Sequence, residues 1–334
     1  NINASHTMHR KSEKAERRVF MKQKILDCTL RDGGLVNRFY FTDEFVKKLY
    51  QTNLEAGIDY MEFGYKASEE QFDRDAFGKW KFCREEDIRE IVGENPTSMK
   101  ISVMADVGRT DYKKDILNRK DSVIDMVRIA TYGNTIEEAL EMTEDCAEKG
   151  YETTVNIMAV SNHTEKELEK ILEKLKDSPV NTVYLVDSYG SFYPEQIRRL
   201  ADLYLGIMKG TEKEIGIHAH NNQQLAFANT IEAMRRGVSF LDVTVNGMGR
   251  GAGNCSTEQL LGYLGDGFQE IPVLKFIEEQ MLPLKRQGIL WGYDIPYLLT
   301  GQEKQHPSSA IAFMQEQKTQ YSQLLKNLQA LSAS

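Results

Sequence analysis

Cysteine is scarce in this chain: Cys28, Cys83, Cys146 and Cys255 are the only four in 334 residues, and no C-x-x-C pair occurs. That excludes a disulfide scaffold, and the sparse thiols suit a reducing, cytoplasmic compartment. Long apolar runs are missing too. No stretch reaches the roughly 18 apolar residues that a helical span needs, and the N-terminal segment lacks the apolar core of a secretory signal, so neither a membrane span nor export is expected. An excess of positive charge is also lacking. Lys and Arg number 42 against 50 Asp and Glu, a net charge of -8, so the chain as a whole offers no nucleic-acid surface. The local exception is the run Arg10, Lys11, Lys14, Arg17, Arg18, Lys22 and Lys24, diluted by Glu13 and Glu16. Residues 1–23 are read as a solvated basic leader, with Asn1 to Thr7 ahead of Met8 set apart as appended sequence.

What is present supports a large folded core. A hydrophobic share of 41% over this length allows one α/β domain of barrel size or two smaller domains. From Lys24 onward, short β-branched or apolar runs alternate with longer helical patterns, the signature of a parallel sheet built from βα units. Eight such runs occur, at 25–29, 60–64, 101–105, 126–130, 153–158, 182–186, 215–219 and 240–245. Helix punctuation supports the count. Thr42 can cap a helix that stops at Gly57, Asn134 with Glu137 and Thr164 with Glu167 have capping-box spacing, and Pro194 suits a first helical turn. Eight units predict an α/β fold of the (β/α)8 TIM barrel type over 24–268, with a doubly wound open sheet as the alternative. From 269 to 334 the pattern is helical, broken by Pro272, Pro283, Pro296 and Pro307, and predicts a C-terminal helical extension.

Two of the six histidines, His218 and His220, stand together where the seventh run ends in Gly216-Ile217-His218-Ala219-His220-Asn221-Asn222. Residues two apart on a strand project to one face, so the two imidazoles can share a metal ion. By itself such a pair reads equally well as two hydrogen-bonded strand histidines. In a barrel, however, functional residues gather at the C-terminal ends of the strands. There the first run leads into Thr29-Leu30-Arg31-Asp32-Gly33-Gly34, and the eighth is followed by a glycine-rich loop from Asn246 to Asn254. Barrel closure makes the eighth strand a neighbour of both the seventh and the first, which sets Asp32 facing the histidine pair.

Two imidazoles and one carboxylate leave open positions on an octahedral ion, for water or for the amide oxygen of Asn254. That is the pattern of a catalytic metal site. An ion so held can chelate a 2-oxo acid and stabilise an enolate by several kcal/mol. Arg31 can hold an enolate oxygen or a substrate carboxylate, or form a rim salt bridge. Glu62, at the end of the second run, can orient Arg31 or a metal-bound water, or form a buried structural pair. Asp187 and Ser188 hold the same kind of position after the sixth run, where turn formation is the alternative. Lys66 and Tyr65 can meet a substrate carboxylate or solvent. The glycine-rich loop lacks the spacing of a dinucleotide fingerprint and is read as a tight turn that brings Asn254 near the metal.

Together, T-L-R-D-G after run one, H-A-H-N at run seven and G-x-G-x-x-x-G-N after run eight resemble the HMGL-like, metal-dependent aldolase and lyase superfamily of TIM barrels. That superfamily includes 4-hydroxy-2-oxovalerate aldolase, hydroxymethylglutaryl-CoA lyase and isopropylmalate synthase, and the resemblance covers residues 24–265. It implies Asp32, His218 and His220 as ligands of a divalent metal, Mn²⁺ or Mg²⁺, Asn254 as a ligand or near neighbour, Arg31 as the enolate stabiliser, and a homodimer. The segment Leu290-Trp291-Gly292-Tyr293-Asp294-Ile295-Pro296-Tyr297 is similar to one that returns a tyrosine over the barrel mouth in oxovalerate aldolases, which implies substrate contact by Tyr293 or Tyr297. Three departures stand out. The aldolases place a histidine base where this chain has Gly34; the CoA lyases place a cysteine inside the glycine loop, where Met248 and Arg250 stand here; and the synthases carry Glu-Gln where this chain has Gly34-Leu35.

The expected function is a divalent-metal-dependent aldolase, a carbon–carbon lyase that acts on a 4-hydroxy-2-oxo acid through a pyruvate-type enolate. Arg31, Glu62 and Tyr293 are the expected catalytic residues, and the expected partner is a small 2-oxo acid, with neither nucleic acid nor membrane. The alternatives are a Claisen-type acyltransferase condensing an acyl-CoA with a 2-oxo acid, a non-haem iron oxygenase built on the same triad, and a metal-binding barrel without turnover, which Gly34 favours.

Overall fold

The computed structural model describes residues 23–265 and 267–332. The expected basic leader falls almost entirely outside these residues. Eight parallel strands close into a barrel in sequence order: β1 (Lys24–Asp27), β2 (Tyr60–Tyr65), β3 (Lys100–Asp106), β4 (Met126–Thr131), β5 (Glu152–Ile157), β6 (Thr182–Asp187), β7 (Glu214–Ala219) and β8 (Phe240–Val243). β8 pairs with β1 from Lys24↔Phe240 to Asp27↔Val243 and also pairs with β7. That closure rules out the open sheet. Every residue of β2, β4 and β6 is buried, because one face fills the lumen and the other lies under helices. Such strands read as continuous apolar runs instead of alternating ones.

The lumen is not purely apolar. Glu62, Arg128, Tyr184 and Asp242 come from the four even strands and are at most 2% exposed. Arg128 donates to Glu62 Oε2 at 2.8 Å and to Asp242 Oδ2 at 2.5 Å, and its guanidinium lies 4.4 Å from the Tyr184 ring centre. One step towards the strand starts, Leu26, Tyr60, Met126 and Phe240 belong to an apolar plug. A layer built from alternate strands is the normal filling of this fold. Here one such layer is charged and lies just below the C-terminal rim.

The helices start where their capping residues place them, with one exception. Thr42 accepts a hydrogen bond from Phe45 N and opens Asp43–Ala56; Thr164 and Glu167 form a reciprocal capping box; Pro194 is the first residue of Pro194–Met208. Asn134 does not cap. A short turn over Gly133–Thr135 precedes Ile136–Glu148, which moves the helix boundary to Thr135. The first strand is shorter than expected, ending at Asp27. Asp27 accepts hydrogen bonds from Thr29 Oγ1 at 2.5 Å and Asn53 Nδ2 at 3.1 Å, while Thr29 Oγ1 accepts from Val245 N at 2.8 Å. These bonds turn the chain directly into the helix Thr29–Asn37, whose first turn is closed by Asp32 N donating to Cys28 O at 2.9 Å. Arg31 and Asp32 therefore sit on a rigid helical turn and not on a loop.

Beyond the barrel the chain is helical, as expected. Glu270–Phe276 packs on Asp43–Ala56 through Phe45 and Phe276, with ring centres 5.1 Å apart. Ile295–Gln302, Ser308–Gln315 and Tyr321–Ser332 share the separate apolar cluster of Leu299, Phe313, Leu324 and Leu328. Pro296 opens a helix here, whereas Pro283 follows the π-helical turn Ile277–Met281 that joins Glu270–Phe276 to Leu282–Arg286. Trp291 Nε1 donates to Asn246 O at 2.9 Å, tying this extension to the loop after β8. Among the described residues no helix is long and apolar enough to cross a membrane.

Candidate active site

Asp32, His218 and His220 meet at the C-terminal mouth. One ligand atom from each lies within 4.8 Å of the others, and all three side chains are buried. His218 Nε2 is 3.4 Å and His220 Nε2 4.0 Å from Asp32 Oδ2. Asn254 joins them from the glycine-rich loop: it bridges to His220, and its Nδ2 donates to Met248 O at 3.2 Å. A Cβ placed on Gly249 would stand 2.2 Å from Asn254 Nδ2 and 3.2 Å from Asp32 Oδ2, so only glycine lets the loop close over both. Asp32 Oδ1, Asp32 Oδ2, His218 Nε2 and Asn254 Oδ1 are buried without a hydrogen-bond partner.

The surroundings keep Asp32 and His220, but not His218, in ligand form. Burial would raise the Asp32 carboxyl, but Arg31, with the His218 and His220 rings, holds it well below the usual carboxylate range. Burial pushes the His220 imidazole down to about 3. On His218 burial acts the same way, yet the bonds to Asp242 and Asp32 outweigh it and the imidazole pKa is raised. His218 Nδ1 lies 3.0 Å from Asp242 Oδ2. Metal-binding imidazoles are commonly oriented by such a carboxylate on the far nitrogen, which leaves Nε2 free for the ion. Cys28, His218 and Asp242 form a second convergent group, but its space is already spent. Asp242 holds Arg128 and His218, and burial raises the Cys28 thiol far above the range in which it ionises.

Arg31 lines the cavity with its Nε donating to Glu62 Oε2 at 2.9 Å and its Nη1 3.5 Å from Asp32 Oδ1. Glu62 thus holds Arg31 from within the lumen and does not line the cavity. A continuous buried chain runs Arg31, Glu62, Arg128, Asp242, His218. The cavity has a volume of about 170 Å³, a size for a small organic acid.

Other expectations fall elsewhere. Tyr293 is 44% exposed and does not line the cavity, and its segment is anchored by Trp291 to the glycine-rich loop. Tyr297 packs on Gly251 and its carbonyl accepts from Asn222 Nδ2 at 3.1 Å, again outside the cavity. Lys66 is buried 3.5 Å from Glu85 Oε1. Asp187 accepts from Ser191 N at 2.8 Å and Phe192 N at 3.3 Å, the turn-forming role, and burial raises it to about 7. Ser188 Oγ accepts from Ala159 N at 2.8 Å. Tyr65 does line the cavity, together with Lys81, Asp106 and Arg109, none of which was anticipated. The signal for Arg128 and Asp242 was in the sequence: charged residues in the middle of apolar strand runs.

Residues 22–265 match the HMGL-like family. An oxaloacetate decarboxylase of Mycobacterium tuberculosis is 30% identical over 244 residues, covering 72% of this chain and 69% of the relative. A 4-hydroxy-2-oxovalerate aldolase of Geobacillus genomosp. 3 is 29% identical over 271 residues, covering 78% of this chain and 77% of the relative. The crystal structure of the N-terminal domain of a proposed aldolase from Bacteroides vulgatus superposes with a TM-score of 0.76 at 28% identity, covering 87% of this chain and 96% of that one. With the barrel closed and the three motifs gathered at one mouth, the chain belongs to the HMGL-like family of carbon–carbon lyases.

Proposed function

We propose that this chain is a divalent-metal-dependent aldolase that cleaves a 4-hydroxy-2-oxo acid. The observation that carries the reading is the set of buried oxygens without donors, on Asp32 and Asn254, beside the unprotonated ring of His220. Burying such atoms unsatisfied costs on the order of 1–3 kcal/mol each, and a cation removes that cost. Asp32, His218 and His220 would hold it, with Asn254 as neighbour or further ligand, and the expected ion is Mn²⁺ or Mg²⁺. The bound ion supplies Lewis-acid stabilisation to the oxygens of a 2-oxo acid.

The protein's own residues do the rest. Arg31, hydrogen-bonded among the described residues only through Nε, offers its remaining N–H groups to the negative charge that grows on the 2-oxo oxygen as the C3–C4 bond breaks. Glu62 and Arg128 are positioning residues that fix the Arg31 plane. Cleavage of a 4-hydroxy substrate also requires a group to take the hydroxyl proton. Asp106 is the candidate: it lines the cavity, and burial raises its carboxyl above the usual range, which moves it towards the basicity that general-base work needs.

A second reading is favoured by the absence of a base at Gly34. Decarboxylation of a 2-oxo diacid such as oxaloacetate sends the C3–C4 electron pair into the same enolate and releases CO₂, with no hydroxyl proton to remove. The Mycobacterium tuberculosis relative named for that reaction supports it. Metal-stripped and Mn²⁺-loaded protein, given 4-hydroxy-2-oxovalerate, oxaloacetate, or acetyl-CoA with a 2-oxo acid, separates the readings. Aldehyde release supports the aldolase, CO₂ alone the decarboxylase and free thiol the Claisen alternative. Equal turnover after EDTA treatment would remove the metal from the account.

A further inference from the structure

The cavity contains three cations that the chemistry above leaves unused, Lys81, Arg109 and Arg250. Lys81 ends the short turn Lys79–Lys81 after β2, lines the cavity and is 7% exposed. Its Nζ lies 5.4, 4.7, 4.5 and 5.7 Å from the ring centres of Phe39, Tyr65, Phe72 and Phe77. Among the described residues it has no carboxylate within the 4.0 Å of an ion pair and no side-chain hydrogen bond. Ring faces attract an ammonium without using its N–H groups. The cage therefore holds the ammonium itself, whose three donors make no hydrogen bond to the described residues. Burial lowers the pKa of this ammonium, with Asp106 opposing the shift and Arg109 adding to it.

The neighbourhood is arranged for an anion. Ala67 N donates to Lys81 O at 3.2 Å and Ser68 N to Arg109 O at 2.9 Å, so one segment after β2 pins both cationic loops at the same rim. The cavity wall carries Arg31, Lys81, Arg109 and Arg250 against Asp32 and Asp106, a positive surplus inside a protein of net charge -8. Asp32 is directed to the ion and Arg31 to the 2-oxo end of the substrate. The surplus at Lys81 and Arg109 is left for a second anionic group.

We infer that Lys81 is a specificity-determining residue that receives a second carboxylate, carried by the aldehyde or ketone half of the substrate, so that the enzyme prefers 2-oxo dicarboxylates. The inference rests on the reading of the site as a 2-oxo acid lyase. It separates Lys81 from Lys66, whose ammonium faces Glu85.

The test compares two ligands of equal chain length by calorimetry on the full chain loaded with Mn²⁺: 2-oxoglutarate and 2-oxovalerate, which differ only by a carboxylate in place of a methyl group. Wild type is expected to bind the diacid about tenfold or more tightly, as one charge-assisted contact in a buried site provides. Lys81→Met, which removes the charge and leaves an apolar side chain of similar length beside the rings, is expected to bring the ratio close to unity. Binding of 2-oxovalerate without a diacid preference would overturn the assignment alone, and so would a preference that survives in Lys81→Met. Binding of neither acid would overturn the 2-oxo acid reading and this inference with it. Should Lys81→Met fail to fold, the wild-type ratio decides.

Discussion

The ring of Phe39 occupies the space above Gly34: a Cβ built on that glycine would stand 2.1 Å from Phe39 Cδ1. The position at which the family resemblance places a base is thus sterically closed, and the same ring forms one wall of the Lys81 cage, packing edge-on against Tyr65 at 5.7 Å.

Gly34→Ala should therefore cost about 1–3 kcal/mol of stability, the usual penalty for overpacking. Adding Phe39→Ala should recover part of that loss, because the two changes share one space and cannot be additive. Urea unfolding of the two single variants and the double variant measures the coupling; strict additivity would show that the ring does not fill the site.

Metal binding should release protons from one histidine only. In the metal-free protein His218 has a raised pKa and holds its proton above the ordinary 6.5, whereas His220, at about 3, is already free. A cation must displace the His218 proton, so apparent Mn²⁺ affinity should rise with pH until that raised imidazole has lost its proton and then level off. Calorimetric titration in buffers of different ionisation enthalpy counts the protons. A release that stays at zero at every pH would contradict the arrangement.

Arg128→Met should destabilise the fold by about 3–5 kcal/mol, because Glu62 and Asp242 would face each other in the lumen without a counter-charge. It should also weaken Mn²⁺ binding, since Asp242 would no longer be held against His218. A melting temperature and Mn²⁺ affinity both equal to wild type would mean that the charged layer supports neither the fold nor the rim.

Much of the site was legible because its chemistry is local to three short motifs. Asp32, His218, His220 and Asn254 each stand at a strand exit, and barrel closure alone brings such exits together. The link from Glu62 to Arg31 was legible as one of its alternatives, although Glu62 stands inside the lumen and not at the strand exit. Arg128 and Asp242 escaped because they face each other across the lumen from strands 114 residues apart in sequence, and pairing at that distance leaves no spacing to read. Lys81 and Phe39 escaped for another reason: both sit in connections whose path is set by aromatic packing, which carries no period. Tyr293 shows the limit of motif similarity, since its segment is present but that tyrosine is exposed outside the cavity. Strand one ended early through the side-chain bonds of Asp27 and Thr29, a competition that apolar patterning does not register.

The charged layer draws one side chain from every second strand and ties the Arg31 side of the mouth to the His218 side. Any breathing that separates β2 from β4 must pull on both at once, so the spacing between the two halves of the pocket is fixed by the shaft of the barrel. Redesign of the rim connections can then change which molecule is admitted while the shaft keeps the distance between metal ligands and guanidinium unchanged.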